Sequence, residues 1–193
     1  MFQNKSPRYE ILSQDAMAVL DKGWRRIVSE MGVEFMHDRA LDMFRAAGQK
    51  VEGNNVKFDP DWILAQVAQA PSEFTLQARN PNNNVIIGGD NMVFGGVYGP
   101  PFVRDLGVRR DGTLDDFRNL TKLTQMFTDL DVASSVVVEP NDADLDTRHI
   151  DMIYSCQTLS DKAFMGNVVT GPNARDTIKM TEIIFGGRAN IEK

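Results

Sequence analysis

Val132-Ala133-Ser134-Ser135-Val136-Val137-Val138 decides the fold of this chain. An unbroken run of small and β-branched residues is what a strand buried on both faces of a parallel sheet requires. Glu139-Pro140-Asn141-Asp142-Ala143-Asp144 then ends it in a polar loop, where Pro140 stops the ladder and a following Asx residue can cap a helix. Beyond the loop, Leu145, Met152, Ile153, Cys156 and Leu159 fall on one helical face. Ala163 to Val169 predicts a second strand and Thr170-Gly171-Pro172-Asn173 a second polar loop. Ala174, Ile178, Thr181 and Phe185 predict a second helical stripe, closed by Gly186-Gly187. Strand, helix, strand, helix on a period of roughly 30 residues is a pair of βα units. Such units gather functional groups at the carboxyl ends of their strands.

Working outward, Thr113-Leu114-Asp115-Asp116 is a capping box in its acidic form, opening a helix with Leu114, Phe117, Leu120, Thr124 and Phe127 inward. Phe102 to Leu106 is short and extended, and Asp111-Gly112 is a turn. Earlier, Phe74 to Ala78, Val85 to Ile87 and Met92 to Phe94 alternate as half-buried strands, separated by Asn80-Pro81-Asn82-Asn83-Asn84 and Gly88-Gly89-Asp90-Asn91, and predict an antiparallel meander. Ser13 caps a first helix with Met17, Leu20, Trp24, Ile27, Val28 and Met31 inward and Gly32 as its stop. Asp38 to Ala47 is a second helix, with Leu41 and Phe44 inward. Asp59-Pro60 opens a third, with Trp62, Ile63 and Val67 inward. Val51 and Val56 to Phe58 can pair around Gly53-Asn54-Asn55, and residues 1 to 12 predict an arm with little structure of its own. The change of period places a boundary near residues 107 to 113. Residues 1–110 form an α+β extension of helices and short antiparallel strands, and residues 111–193 begin a parallel α/β domain.

The composition of the 193 residues, 42% apolar and 25% charged, is that of an ordinary globular protein. A net charge of −6 and a pI near 4.9 disfavour a nucleic-acid partner. No stretch approaches the roughly 20 apolar residues of a membrane span, and Met1 to Ile11 lacks the apolar core of a signal peptide, so a cytoplasmic protein is expected. The single cysteine, Cys156, excludes an internal disulfide and reads as a buried, inert thiol.

Motif chemistry is sparse. His37 and His149 are scattered and read as structural, so no zinc constellation and no metal site is expected. Asp142, Asp144 and Asp146 lack the glycine and glutamate offsets of a calcium loop. Gly95-Gly96-Val97-Tyr98-Gly99 matches no phosphate-loop pattern, and Asp115 and Asp116 are adjacent and cannot face one another. Position speaks more clearly. Glu139 and Asn141 follow the first buried strand, while Asn167 and Thr170 close the second, so in a parallel α/β barrel all four face one mouth. An amide such as that of Asn167 at the end of an apolar strand needs partners that a substrate or a neighbouring loop can supply.

The ordered pieces Glu30-Met31-Gly32-Val33, Arg45-Ala46-Ala47-Gly48, Ala70-Pro71-Ser72-Glu73-Phe74-Thr75-Leu76-Gln77-Ala78-Arg79, Val85-Ile86-Ile87-Gly88-Gly89, Gly99-Pro100-Pro101-Phe102-Val103-Arg104-Asp105 and Arg109-Arg110-Asp111-Gly112-Thr113-Leu114-Asp115-Asp116 resemble the N-terminal part of the trimethylamine methyltransferase family, which includes the glycine betaine methyltransferases. The resemblance covers essentially the whole chain. It implies an α/β fold in which the N-terminal extension precedes the start of a (β/α)8 TIM barrel. It also implies transfer of a methyl group from a methylated amine, of the trimethylamine or glycine betaine class, to a corrinoid (cobalamin) held by a partner protein, with no cofactor bound directly. A pyrrolysine belongs to the C-terminal half of the trimethylamine enzymes, beyond the region matched. No catalytic residue is assigned. From strand-end position, Glu139, Asn141 and Asn167 are the expected substrate-binding residues, and Tyr98 and Phe102 are aromatic residues of the type that holds a cation.

A complete barrel needs roughly 200 to 250 residues, and the residues after Leu130 accommodate about two βα units. The chain is therefore expected to be part of a longer enzyme, or to be completed by a partner, with self-association through open strand edges. The alternative is a truncated, non-catalytic structural or interaction module that associates through those strands.

Overall fold

Ser13, Asp59 and Thr113 each cap the helix they were expected to open. A computed structural model describes residues 2–133, 136–167 and 169–192. In chain order these are β1 (Phe2–Gln3), α1 (Gln14–Arg26), β2 (Val33–Glu34), α2 (Asp38–Ala46), β3 (Lys50–Glu52), β4 (Asn55–Lys57), α3 (Pro60–Val67), β5 (Glu73–Leu76), β6 (Val85–Gly88), β7 (Asn91–Met92), β8 (Phe102–Asp105), β9 (Val108–Asp111), α4 (Leu114–Met126), β10 (Val132–Ala133), α5 (Arg148–Leu159), β11 (Ala163–Phe164) and α6 (Gly171–Ile184). The mixture is of the α/β class, and no closed barrel is present among the described residues. No helix among the described residues is long and apolar enough to cross a membrane.

Contacts divide the chain into two compact units, residues 6–72 and residues 1–5 with 73–193. In the first, Ser13 caps α1 by accepting the Ala16 N–H at 3.2 Å, and α1 runs into a π-helical turn, Ile27–Met31, that stops at Gly32 with φ 78°. Asp59 caps α3, with Pro60 in its first turn. β3 and β4 form the expected hairpin, with Gly53 at φ 60° in its two-residue loop, and β2 adds to the free side of β4. Leu41, Val56 and Phe58 make the core, with Phe44, Trp62 and Ile63 against it. The stripe expected inward on α1 is not buried. Met17, Leu20, Ile27 and Met31 stay more than half exposed, as does Val67 on α3, because the small core takes only Val28 of the α1 stripe, with Trp24 half-buried.

In the second unit, β5 and β6 pair antiparallel. The third meander segment departs from expectation. β7 pairs with β1, and Phe2 stands edge-on to Phe94 at 5.8 Å, so the first residues of the supposed arm are a strand. β8 and β9 form a hairpin that side-chain periodicity did not announce. Its two-residue turn, Leu106-Gly107, has both residues at positive φ, and the exposed Leu106 is the one non-glycine so placed among the described residues. The capping box is complete: Thr113 Oγ1 accepts the Asp116 N–H while Asp116 Oδ2 accepts the Thr113 N–H at 2.9 Å. Phe117, Thr121 and Thr124 of α4 are buried, but Phe127, expected inward, is exposed beyond the helix end.

The deciding run is only partly regular. β10 covers Val132–Ala133, and Ser134 and Ser135 lie outside the described residues, as does Val168 of the second run. Val136, Val137 and Val138 are buried as expected, in a core with Phe117, Met152 and Cys156, but their backbone does not form a ladder with β11. Instead the run is bonded to the glycine segment: Val132 bridges Gly95 in parallel, Gly99 N–H donates to Val136 O, and Glu139 N–H donates to Pro100 O. The segment that matched no phosphate loop is thus the flank of this run opposite β11. β10 and β11 are parallel, Val132 opposite Ala163, and are joined through α5. Leu145 is a correction. It precedes the helix and is 74% exposed, because α5 begins only at Arg148. Lys162 closes the structure behind β11. Its ammonium donates to the carbonyls of Thr124, Phe127 and Leu130 at 2.5–2.8 Å, satisfying the open end of α4.

Candidate functional site

The loops that leave the carboxyl ends of the two parallel runs enclose a cavity of about 350 Å³, near the small end of ligand-pocket sizes. Glu139 and Asn167 enter it from those two ends. Asp146, Arg148 and His149, at the start of α5, and Thr170 and Asn173, at the amino end of α6, add polar groups, and Leu145, Val169 and Pro172 add apolar surface. α6 is held open-ended toward it by Thr170, whose hydroxyl accepts the Asn173 N–H as the helix cap.

Of the site residues expected from strand-end position, Glu139 and Asn167 line the cavity together. Asn141 does not; its amide donates to Pro101 O at 2.8 Å and to Glu139 O at 3.2 Å, and its N–H donates to Gly112 O, so it ties down the loop that carries Glu139. Tyr98 and Phe102 do not line the cavity either, and the ring of Phe102 is already covered by the Arg109 guanidinium at 3.9 Å. His149 and Arg148 were not expected in the wall. The α5 pattern put His149 on the sheet side or its margin, but its hydrogen-bond partner, Asp176, lies 27 residues further on, where no local spacing points to it.

The cavity concentrates unfilled hydrogen-bonding capacity. Among the described residues four buried side-chain atoms lack a hydrogen-bond partner, and three of them belong to this wall: Glu139 Oε2, His149 Nδ1 and Asn167 Oδ1. Each such atom costs about 1–3 kcal/mol if nothing meets it. Arg148 Nη2 is 3.0 Å from Glu139 Oε2, close enough for an ion pair but out of line for a hydrogen bond. His149 is 4% exposed, and its Nε2 lies 3.0 Å from Asp176 Oδ2. A carboxylate only accepts, so the proton of a neutral His149 sits on Nε2 and leaves Nδ1 as a lone pair. Asn167, 6% exposed, spends its NH2 group on the poor acceptor Met152 Sδ at 3.7 Å. With His149 neutral, all three unfilled atoms are lone pairs. They suit a cation or a hydrogen-bond donor, while Arg148 and the amino end of α6 offer donors on the same wall.

No group of three His, Cys, Asp or Glu that could hold a metal occurs among the described residues. Cys156 lies behind this wall with its thiol pushed up to about 12 by burial, which keeps it protonated and unreactive.

Residues 1–193 match the trimethylamine methyltransferase (MTTB) family. The glycine betaine methyltransferase of Desulfitobacterium hafniense (strain Y51) is 40% identical over 188 residues, which are 97% of this chain and 39% of that protein. The proline betaine:corrinoid methyltransferase of Eubacterium limosum is 26% identical over 180 residues, 91% of this chain and 36% of that protein. The trimethylamine methyltransferase MttB of Desulfitobacterium hafniense (strain DSM 10664 / DCB-2) is 22% identical over 192 residues, 94% of this chain and 37% of that protein. The chain therefore spans less than two fifths of the length of these relatives.

Proposed function

The chain belongs to the trimethylamine methyltransferase family, and from that membership we propose that it supplies the amino-terminal side of a binding site for a methylated amine whose methyl group passes to a corrinoid on a partner protein. The parallel β10–α5–β11 unit is, in this reading, the start of a (β/α)8 barrel. The corrinoid is a reactant carried by the partner, and it supplies the nucleophile. The chain's residues bind and orient the methyl donor and keep water from it.

The observation that carries the reading is that Glu139, His149 and Asn167, each with a buried side-chain atom that lacks a hydrogen-bond partner, line one cavity beyond the strand ends. A quaternary ammonium spreads its charge over the hydrogens of its methyl groups. Lone pairs and a carboxylate meet that charge without needing an N–H donor from the ligand. Arg148 and the amino end of α6 line the same cavity and suit the carboxylate of a betaine. This favours a betaine over trimethylamine, which has no anionic end. Glu139 and Asn167 are assigned to the substrate, and Asn141 to the loop beneath it.

Methyl transfer from glycine betaine to cob(I)alamin, followed by cobalamin absorbance in the protein that carries this chain, tests the reading. Glu139→Gln is expected to lower kcat/KM by roughly tenfold to a hundredfold, the range of a lost charge-assisted contact. Unchanged transfer in both Glu139→Gln and Asn167→Ala removes these residues from the site.

A further inference from the structure

One turn of α6 meets both buried residues of the cavity wall that keep an unpartnered side-chain atom. Asp176 meets His149 Nε2, and the next residue, Thr177, donates its hydroxyl to the Asn167 carbonyl at 3.2 Å. The approach is close because residue 166 is glycine; a Cβ there would stand 2.3 Å from Thr177 Cγ2. A neutral imidazole has one proton and two nitrogens, and which nitrogen faces a ligand as an acceptor depends on the partner of the other. Were the proton on Nδ1, the Nε2 lone pair would face the oxygens of Asp176 and an N–H would point away from them, so His149 would lose the acceptor it shares with Glu139 and Asn167.

We infer that Asp176 is a positioning residue that determines the charge preference of this site: by accepting the Nε2–H of His149 it fixes the tautomer whose Nδ1 lone pair completes the cation-binding wall. The inference rests on the reading of the cavity as a cation site. It concerns a residue that does not line the cavity itself. Asp176 also adds a negative charge behind the ring, on the side away from the ligand, which strengthens the hold on a cation in a cavity where Glu139 is offset by Arg148.

The test needs no variant to begin. The chain has two histidines, and His37 is exposed at the start of α2, so the ring nitrogens of His149 can be assigned in 15N multiple-bond spectra against that reference. The neutral His149 ring is expected as the Nε2–H tautomer. In Asp176→Asn the spectrum is expected to show mixed tautomers, and binding of tetramethylammonium chloride is expected to weaken roughly tenfold, the order of one hydrogen bond. In a His149→Asn background, where an amide oxygen takes the place of Nδ1 without a choice of tautomer, Asp176→Asn is expected to have no further effect. A wild-type His149 protonated on Nδ1 overturns the inference, as does an Asp176→Asn protein that folds, keeps the Nε2–H tautomer and binds as the wild type does. If the wild type binds no tetramethylammonium, the cation reading of the cavity falls, while the tautomer spectrum still decides what Asp176 does.

Discussion

Asp142 Oδ1 accepts the backbone N–H of Leu114 at 2.8 Å, so the loop leaving the buried valine run is fastened to the first turn of α4. The same loop carries Glu139 into the cavity, and Asn141 holds it to Pro101 and Gly112 from the other side. Asp142→Ala is expected to cost about 1 kcal/mol, as the loss of a helix-end acceptor does. It should also weaken ligand binding at a site Asp142 does not touch. Urea unfolding and ligand titration on one preparation check both; a stability loss with binding unchanged contradicts the role given to the loop.

Asp116 is the more heavily bonded acid of the same corner. Its carboxylate takes two hydrogen bonds from Arg110, at 2.5 and 2.8 Å, and two from Thr113, through the hydroxyl and the N–H. The Arg110 guanidinium first, and then Thr113, hold its pKa well below the ordinary carboxylate value. A depressed folded value makes its contribution full above the unfolded carboxylate range, near 4, and loses it as pH falls below that range. Asp116→Asn is expected to cost about 1–2 kcal/mol at pH 7, with the gap to wild type narrowing below about pH 4. Thermal unfolding across that range measures it, and a gap independent of pH counts against the ionic part of the cap.

Gly112 stands where the hairpin enters α4. A Cβ built there would lie 2.3 Å from Val138 Cγ2 and 2.8 Å from the Glu139 carbonyl oxygen, and the latter is backbone that cannot swing aside. Gly112→Ala is expected to destabilise by about 1–3 kcal/mol, the usual range for overpacking, and to displace Glu139. Loss of betaine binding in a variant that still folds at low temperature is the diagnostic result.

Cys156 gives a test of the core that borders the site. Buried among Phe117, Val138 and Met152, its thiol should not react with a disulfide reagent at pH 8 in the folded protein, and should react at once in denaturant. Fast reaction under native conditions would mean that α5 and the valine run separate readily.

Local chemistry made much of this legible in the sequence. Ser13, Asp59 and Thr113 each cap the helix that their residue types and followers announced, and Gly53 turns the hairpin it was expected to turn, whereas Thr170, expected in a loop, proves to be the cap of α6. Long-range pairing was not legible. β1 finds β7 across most of 90 intervening residues, and the Gly95 to Pro101 segment flanks the valine run through backbone bonds that side-chain periodicity does not encode. The burial expected for Met17, Leu20 and Leu145 failed for a related reason. Periodicity says which residues share a face, not whether anything covers that face. At the site, strand-end position put Glu139 and Asn167 toward one cavity, but could not tell that Asn141 turns back to the backbone. The His149–Asp176 pair belongs to two helices, and only the packing of α5 on α6 brings it together.

Whether the cavity binds a methylated cation through lone pairs and charge is tested most directly by calorimetric titration with two ligands. One is glycine betaine; the other is 3,3-dimethylbutanoate, its uncharged-carbon isostere of the same shape and carboxylate. Binding of glycine betaine at least roughly tenfold tighter than the isostere, a difference of about 1.4 kcal/mol, and lost in Glu139→Gln, is the predicted result. Equal affinity for the two, or preference for the isostere, would contradict it.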